Sequence, residues 1–266
     1  PLITNRNGYN ITISRALFTQ SDQNEAILEL VKLLDNYKTE HNDTLPITKK
    51  APYQFDNSSD TKKNAIKKLL KAHKLSDTAS AEELMQTLCK AYKIPEDWSD
   101  ADQRTAVGVR YEMELREFSM SNPFVLAEDV SIETVVAFSE RSVDFPYITI
   151  ETAAYRQYTD ATIAPHILGR IGKIYAEEYA DLKEKGYKMS DLVGKEGIEK
   201  VMEDSLRGTN GSRLIERNAR GEVLNITTIS EPVQGDNVIL TIDKQLQITT
   251  QNALKQVITS LQGSRE

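Results

Sequence analysis

Cysteine, histidine, glycine, proline and long apolar runs are all scarce in this chain of 266 residues. Its one cysteine, Cys89, excludes an intrachain disulfide and a cysteine-based metal cluster. The three histidines, His41, His73 and His166, lack the spacing of a metal site, so we expect neither a metal nor a cofactor. No segment approaches the ~20 consecutive apolar residues that a membrane-spanning helix needs. With 8 prolines and 12 glycines, the composition is that of an ordered globular protein.

The charge balance excludes a further class of function. The net charge is −7, with 40 acidic residues, whereas a general nucleic-acid binder needs a basic surface for phosphate. We therefore expect no nucleic-acid partner. A chain of this length buries roughly three quarters of its unfolded surface and holds one large domain or two small ones.

Residues 194–211, GKEGIEKVMEDSLRGTNG, form the most informative stretch. Apolar residues with the spacing of one helical face predict a packed helix: Ile198, Val201, Met202 and Leu206. Glycines lie on both sides of that helix, where close backbone approach or positive φ is expected: Gly194, Gly197, Gly208 and Gly211. Two β-prone segments follow, 212–217 and 223–229, and the turn signal at 218–221 between them predicts a hairpin.

This stretch resembles the G-x-x-G-[IL]-E-x-x-x-x-x-x-L-R-G-x-x-G signature of the N-terminal non-catalytic module, or pedestal, of class B penicillin-binding proteins. The signature is carried here by Gly194, Gly197, Glu199, Leu206, Arg207, Gly208 and Gly211. Met202 departs from the tyrosine that is usual at its position.

Three further motifs match the same module in the same order. Residues Arg6 to Gly8 resemble its D-R-N-G strand, with Asn5 in place of the aspartate. The R-x-Y-P…H-x-L-G-Y-x-G run is matched by Arg156, Tyr158, His166, Gly169 and Gly172, with Thr159 and Arg170 as departures. Residues 240–247 resemble L-T-I-D-x-x-[LV]-Q, with Asp243 and Gln247. The departures indicate a divergent member of the family.

The order of predicted elements indicates an α+β fold. The resemblance implies an anchor subdomain of residues 1–20 and 165–266, which combines the first strand with the hairpin. It also implies a head subdomain of residues 21–164, with a helical insertion at about 40–122. Local patterns predict helices at 26–34, 61–74, 80–91, 99–118, 131–139, 173–184 and 244–261, and strands at 9–14, 147–155 and 237–242. Ser21 and Asp22 are expected to cap the first helix.

Catalytic patterns are weak. Ser59 and Lys62 form an S-x-x-K like that of a serine acyl transferase, but the chain contains neither S-x-N nor K-[ST]-G. We expect Ser59 to be an N-cap instead. A glycan hydrolase would need a carboxylate pair across a cleft; the adjacent pairs at 128–129 and 203–204 are expected to be solvated surface.

Three expectations concern single side chains. Glu199 and Arg207 are too far apart on one helix to touch, so each is expected to pair with a strand and fix the helix on the sheet. Direct contact with a partner protein is the alternative. His166 is expected to make a buried or half-buried hydrogen bond near Gly169. The lysines between 62 and 74 are expected to form a solvated helix face, with a basic patch for an anionic polymer or lipid as the alternative.

The resemblance implies a protein without chemistry of its own. In this family the module is extracytoplasmic, follows an N-terminal membrane helix that is absent from this sequence, and raises a D,D-transpeptidase domain that would begin after Glu266. Its partners are that domain, a SEDS-type glycosyltransferase and scaffold proteins of the elongation or division machinery, and homodimerisation is a further assembly. A stand-alone serine acyl transferase or glycan hydrolase is the alternative.

Overall fold

The computed structural model describes residues 1–18, 23–120, 122–175, 177–218 and 223–263. Within these ranges helices and strands from distant parts of the sequence combine, which confirms the α+β class. The predicted cap at Ser21 and Asp22, and turn positions 219–221, lie outside the described residues.

The strands of the described chain are β1 (Ile3–Ile13), β2 (Phe124–Val130), β3 (Ile148–Tyr158), β4 (Ile171–Lys173), β5 (Leu192–Gly194), β6 (Ser212–Arg217) and β7 (Val223–Ser230). Among the described residues they form three antiparallel sheets, with orders β2-β1-β3, β4-β5 and β6-β7.

The longer helices lie in the first two thirds of the chain and at its C-terminal end. The helices are α1 (Gln23–Asn36), α2 (Asp60–Ala72), α3 (Ala81–Ala91), α4 (Asp100–Leu115), α5 (Ile132–Glu140), α6 (Pro165–Leu168), α7 (Tyr179–Glu184), α8 (Gly197–Val201), α9 (Glu203–Leu206) and α10 (Lys244–Gly263).

The ladder between β1 and β3 is the longest pairing in the described structure. It runs without a bulge from Ile3 opposite Tyr158 to Ile13 opposite Ile148. Side chains alternate between the two faces of a strand, so Ile11 and Ile13 share one face and are fully buried there. That face packs against α1, α5 and part of α4 in one hydrophobic core.

A second hydrophobic core lies in the predicted insertion. It is built by α2, α3, α4 and the segment around Ile47. Serine N-caps start three of its helices, at Ser59, Ser80 and Ser99; each side chain accepts a backbone N–H of the first turn, which fixes the start of the helix.

A buried ion pair joins this core to the loop before it. Arg104 Nη1 donates to Asp43 Oδ2 at 2.9 Å, and each side chain is 4% exposed. The guanidinium also donates to the carbonyls of Ile47 and Thr48. An extended segment therefore has its backbone acceptors satisfied by one side chain.

Several predicted elements differ from the structure. Residues 237–242 form no strand, and within the described chain their backbone pairs with none. The predicted helix at 173–184 is reduced to α7 at Tyr179–Glu184. The predicted helix at 198–206 is two short helices that are separated at Met202, which has non-helical backbone angles.

The sheets also differ from the predicted division of the chain. β1 was assigned to the anchor with the C-terminal hairpin, but it pairs with β2 and β3, which lie within the range 21–164 assigned to the head. The hairpin of β6 and β7 is a sheet of its own. The division into anchor and head subdomains stays a prediction.

Loss of Arg104 is expected to cost far more stability than loss of an exposed cation. Arg104→Met leaves the Asp43 carboxylate buried without its partner, so we expect the free energy of unfolding to fall by about 3–5 kcal/mol. Lys32→Met is the control, because Lys32 pairs with Asp102 at the surface and should cost at most about 1 kcal/mol. Urea unfolding followed by circular dichroism measures both; equal losses would contradict the structural role of Arg104.

Candidate functional site

An ion pair joins two of the predicted motifs. Arg156 on β3 donates from Nη2 to Glu199 Oε2 on α8 at 3.0 Å, and the two side chains are 18% and 3% exposed. Arg156 also donates from Nη1 to Asn5 Oδ1 at 2.8 Å, and Asn5 is paired with it across the β1–β3 ladder. The prediction that Glu199 binds a strand is confirmed. Three motifs that are distant in sequence therefore meet at one guanidinium.

The helix that carries Glu199 buries its charge and not the expected apolar face. Val201 is 78% exposed, whereas Glu199 is the buried residue of α8. The expectation for Val201 was wrong because Arg156 turns the acidic side of the helix toward the sheet. Ile198, Met202 and Leu206 are half-buried.

Glycines let two motifs pack backbone against backbone. Gly169 has φ +80°, and a Cβ there would lie 1.8 Å from the carbonyl oxygen of Glu196. A Cβ on Gly194 would lie 2.1 Å from the carbonyl oxygen of Glu199. A Cβ on Gly197 would lie 2.6 Å from the Gly169 nitrogen. Real Cβ contacts do not come this close, so glycine is required for α6, β5 and α8 to meet. Gly172 lies beside them in β4, opposite Val193.

The first motif is fixed to β2 on the other side of β1. The Arg6 guanidinium forms an ion pair with Asp129 and lies 5.5 Å from the centre of the Tyr155 ring. A Cβ on Gly8 would lie 2.5 Å from Asp129 Oδ1, so glycine leaves room for this carboxylate. Asp129 is thus an ion-pair partner of a motif residue and not only the solvated surface expected from the sequence.

Arg207 binds a loop and not the predicted strand. Its guanidinium lies 3.4 Å from the centre of the Tyr187 ring and 3.6 Å from Asp191 Oδ2, and it donates to the carbonyl of Gly186. A cation on an aromatic face is attracted by the ring quadrupole. Because Tyr187 is 4% exposed, Arg207 covers the edge of a small core formed with Met189.

The remaining motif glycines join α9 to the segment after the hairpin. Gly208 has φ +68°, and a Cβ there would lie 2.3 Å from the carbonyl oxygen of Val233. Thr209 and Val233 form a β-bridge. Gly211 would place a Cβ 2.8 Å from Pro232. The Leu206–Gly211 part of the signature therefore holds the chain that leads from β7 toward α10.

The last motif starts α10 and attaches it. Asp243 Oδ1 accepts from the Leu246 nitrogen at 2.8 Å, which caps the helix. Gln247 donates to Gln251 at 2.9 Å. Gln251 in turn accepts from the Ala164 nitrogen and donates to the Thr162 carbonyl, at 3.1 and 2.7 Å. Gln247 and Gln251 thus hold α10 to the loop before α6.

His166 and Tyr158 complete the set of predicted residues. His166 is exposed, so the prediction of a buried or half-buried hydrogen bond was wrong. The α6 turn is held instead by backbone hydrogen bonds that end at Gly169. Tyr158 lies at the end of β3, half-buried, and burial raises the pKa of its hydroxyl, with Glu199 adding to the effect.

A family model described as the penicillin-binding protein dimerisation domain matches residues 1–240. The chain belongs to this family. It is 27% identical over 145 residues to the peptidoglycan D,D-transpeptidase MrdA of Acinetobacter baumannii, covering 54% of this chain and 22% of that protein. It is 28% identical over 189 residues to MrdA of Haemophilus influenzae, covering 65% and 28%.

Solved structures show the same fold. Penicillin-binding protein 2B from Streptococcus pneumoniae strain 5204 has a TM-score of 0.60 at 20% identity, covering 99% of this chain and 42% of that one. The complex between penicillin-binding protein PBP2 and MreC from Helicobacter pylori has a TM-score of 0.51 at 19% identity, covering 96% and 35%. The chain spans less than a third of the length of the two MrdA relatives, at 22% and 28%.

The dimerisation domain uses the S-x-x-K pattern for structure. Ser59 is the N-cap of α2, as predicted, and accepts from the Lys62 nitrogen. The Lys62 amine instead binds Asp56 and the Ser58 hydroxyl, and this contact lowers the pKa of Asp56 to about 2. In the described chain no cluster of three or more histidine, cysteine or acidic side chains has the arrangement of a metal site.

Two acidic residues of this domain were missed by sequence reasoning. Glu203 accepts from the Gly194 nitrogen at 2.7 Å and from the Tyr187 hydroxyl at 3.1 Å. Glu128 pairs with Lys173 at 2.9 Å. Their partners lie nine or more positions away, so no local pattern indicated them; only the position of Glu203 inside the signature gave a signal.

The Arg156–Glu199 pair is expected to be strongly coupled. Arg156→Met and Glu199→Gln should each lower the free energy of unfolding, by about 3–5 kcal/mol for the charge left buried in Arg156→Met. The double variant should cost less than the sum of the two single variants. A double-mutant cycle by urea unfolding measures the coupling, and additive losses would contradict the pair.

Gly194 is expected to tolerate no side chain. In Gly194→Ala the new methyl group meets backbone atoms of Glu199 that cannot move away, so we expect a loss of about 1–3 kcal/mol or more. Gly172→Ala is the matched control in the paired strand, because its Cβ would meet side-chain atoms and no backbone atom, with Lys195 Cγ the nearest at 3.3 Å; it should cost at most about 1 kcal/mol. Thermal unfolding of both variants measures the two losses of stability.

Proposed function

We propose that this chain is the non-catalytic, extracytoplasmic pedestal of a class B penicillin-binding protein, which positions a D,D-transpeptidase domain for peptidoglycan cross-linking. Membership of the dimerisation domain family over residues 1–240 supports the family role. The relatives it matches in part are named peptidoglycan D,D-transpeptidases. The proposal assigns the chemistry to a further domain of a longer parent protein.

A continuous series of contacts supports the positioning role. The β1–β3 ladder leads to Arg156 and Glu199, and from there the packed glycines connect α6 with α8. Gln251 then attaches α10 to the loop directly before α6, at Thr162 and Ala164. Rigid strands, buried ion pairs and backbone contacts have few alternative arrangements. A series of such contacts therefore keeps α10 in a fixed orientation relative to the β1–β3 ladder.

The observation that carries the proposal is an uncovered apolar stripe on α10. Leu246, Leu254, Val257, Ile258 and Leu261 share one face of the helix by their spacing, and their exposed fractions are 66%, 60%, 55%, 47% and 62%. In the β6–β7 hairpin, Leu224 and Ile226 are also exposed, at 67% and 55%. Apolar patches of this kind indicate a covering partner. We assign the covering role to the transpeptidase domain.

Partner proteins and a membrane anchor belong to the same proposal. One structure with this fold is a complex of PBP2 with MreC, which supports contacts with scaffold proteins; contacts with a SEDS-type glycosyltransferase and a homodimer are proposed from the family resemblance. The exposed aliphatic residues Ile132 and Val136 of α5 offer a surface for them. Among the described residues, none of the helices combines the length and the apolar character that a bilayer span requires. The membrane anchor is proposed from the family resemblance.

The alternative is a stand-alone serine acyl transferase that uses Ser59 and Lys62. The engagement of the Lys62 amine with Asp56 weighs against it, because a general base must reach the proton of the nucleophile. For a glycan hydrolase, Glu128 and Asp129 are each engaged with a cation of their own, Lys173 and Arg6. Neither arrangement leaves these side chains free to act as a general acid or base.

Two measurements test the proposal. This chain should not be labelled covalently by a fluorescent penicillin, and labelling that disappears in Ser59→Ala would establish the alternative.

Hydroxyl-radical footprinting should modify Leu254 and Val257 in this chain and much less in the full-length parent. Val143, which is 89% exposed and outside α10, is the internal control and should react equally in both. Equal reactivity of α10 in both proteins would refute the assigned covering role.

A further inference from the structure

An open groove of about 940 Å³ runs along α2, in the helical insertion. Its apolar lining residues are recessed between the polar ones: Phe55, Ile66, Leu70 and Leu75. Lysines form its edge: Lys63, Lys67, Lys71 and Lys74. Asn57 and Asp77 are its other lining residues, and Asp77 is the one carboxylate among the lining residues that the structure describes.

The groove lysines form a regular row. Lys63, Lys67 and Lys71 recur every four residues on α2, which places them about 6 Å apart along the helix axis. Lys74 follows directly after the helix. Like charges four residues apart repel one another on a helix, so this row has an electrostatic cost in the absence of a bound anion.

Pairing with carboxylates separates the lysines of α2 into two groups. Lys62 and Lys68 lie outside the groove lining, and they pair with Asp56 and Glu177 at the surface. Within the described residues, no carboxylate lies within ion-pair distance of Lys67, Lys71 or Lys74, which line the groove.

The one groove lysine with a partner is held weakly. Lys63 pairs with Asp60 at 3.0 Å, and the Asp60 side chain is 93% exposed; such surface pairs contribute little. Other lysines of the described chain also lack a carboxylate partner, but Lys67, Lys71 and Lys74 differ from them in lining one groove together, in a chain whose net charge is −7.

We propose that this groove binds a linear phosphate-bearing polyanion. A row of cations with regular spacing matches repeated phosphates along an extended chain. Lysine binds phosphate as a point charge, and the cations among the described lining residues are all lysines. This binding goes beyond the pedestal role and does not depend on it.

The shape of the groove disfavours a membrane surface as the occupant. A peripheral helix binds a bilayer by inserting exposed apolar side chains. Here Ile66 and Leu70 are 6% and 3% exposed and lie at the base of the groove. They can contact the carbon atoms of a narrow chain that enters the groove, but they cannot enter a bilayer.

Binding of fluorescently end-labelled short-chain inorganic polyphosphate to this chain, measured by fluorescence anisotropy at several salt concentrations, tests the proposal. The triple variant K67Q/K71Q/K74Q should bind about tenfold or more weakly than the unmodified chain. In single-stranded nucleic acids each phosphate neutralised contributes a slope of about −0.7 to log K against log salt, and we expect a slope of similar size for polyphosphate. The slope should therefore become less negative by about 2 in this variant.

The control variant K62Q/K68Q/K183Q removes the same number of positive charges from paired lysines outside the groove. Its affinity should stay within about twofold of the unmodified chain, and circular dichroism verifies that both variants fold. Equal weakening in the two variants would show binding to the overall charge and overturn the proposal. Equally tight binding of poly-L-glutamate, or groove-dependent binding of phosphatidylglycerol vesicles without polyphosphate binding, would overturn it in favour of an acidic peptide or a membrane.

Discussion

A buried carboxylate on a short helix sets the arrangement of this domain. Glu199 is 3% exposed in its side chain, and a charge in that position requires a cation close by. Arg156 supplies it, and the direction of Arg156 is fixed by the β1–β3 ladder and by Asn5. The position of α8 is therefore determined by a strand more than forty residues earlier in the chain, and the packing of Gly169 and Gly197 follows from that position.

The local part of this architecture could be predicted from the sequence, because local signals produce it. The serine caps at Ser59, Ser80 and Ser99 act within one helical turn, and each starts a helix where expected. The periodicity of α10 is local in the same way, and so are the strand patterns of β6 and β7.

The parts that could not be predicted depend on contacts between distant residues. Val201 has the right spacing for a buried face, but the ion pair of Glu199 turns it to solvent. Residues 237–242 have a strand pattern, yet a strand exists only where a neighbour accepts its hydrogen bonds, and the described sheets leave them unpaired. Asp129 and Glu203 were expected at the solvated surface, and their partners became evident only in the fold.

The surface of α2 and the Arg156–Glu199 centre share no ion-pair partner in the described chain. The insertion is stabilised by its own hydrophobic core and by the Arg104–Asp43 pair. It meets the segment after α6 through Leu115, which packs against the small core that contains Met189, and through polar contacts such as Arg116 with the Met189 carbonyl at 2.7 Å and Lys173 with Asn42 at 2.6 Å. Since additivity holds for sites without shared partners, surface changes on α2 should leave the Arg156–Glu199 centre intact. A new binding surface on the insertion can therefore arise without disturbing the orientation that the motif residues maintain.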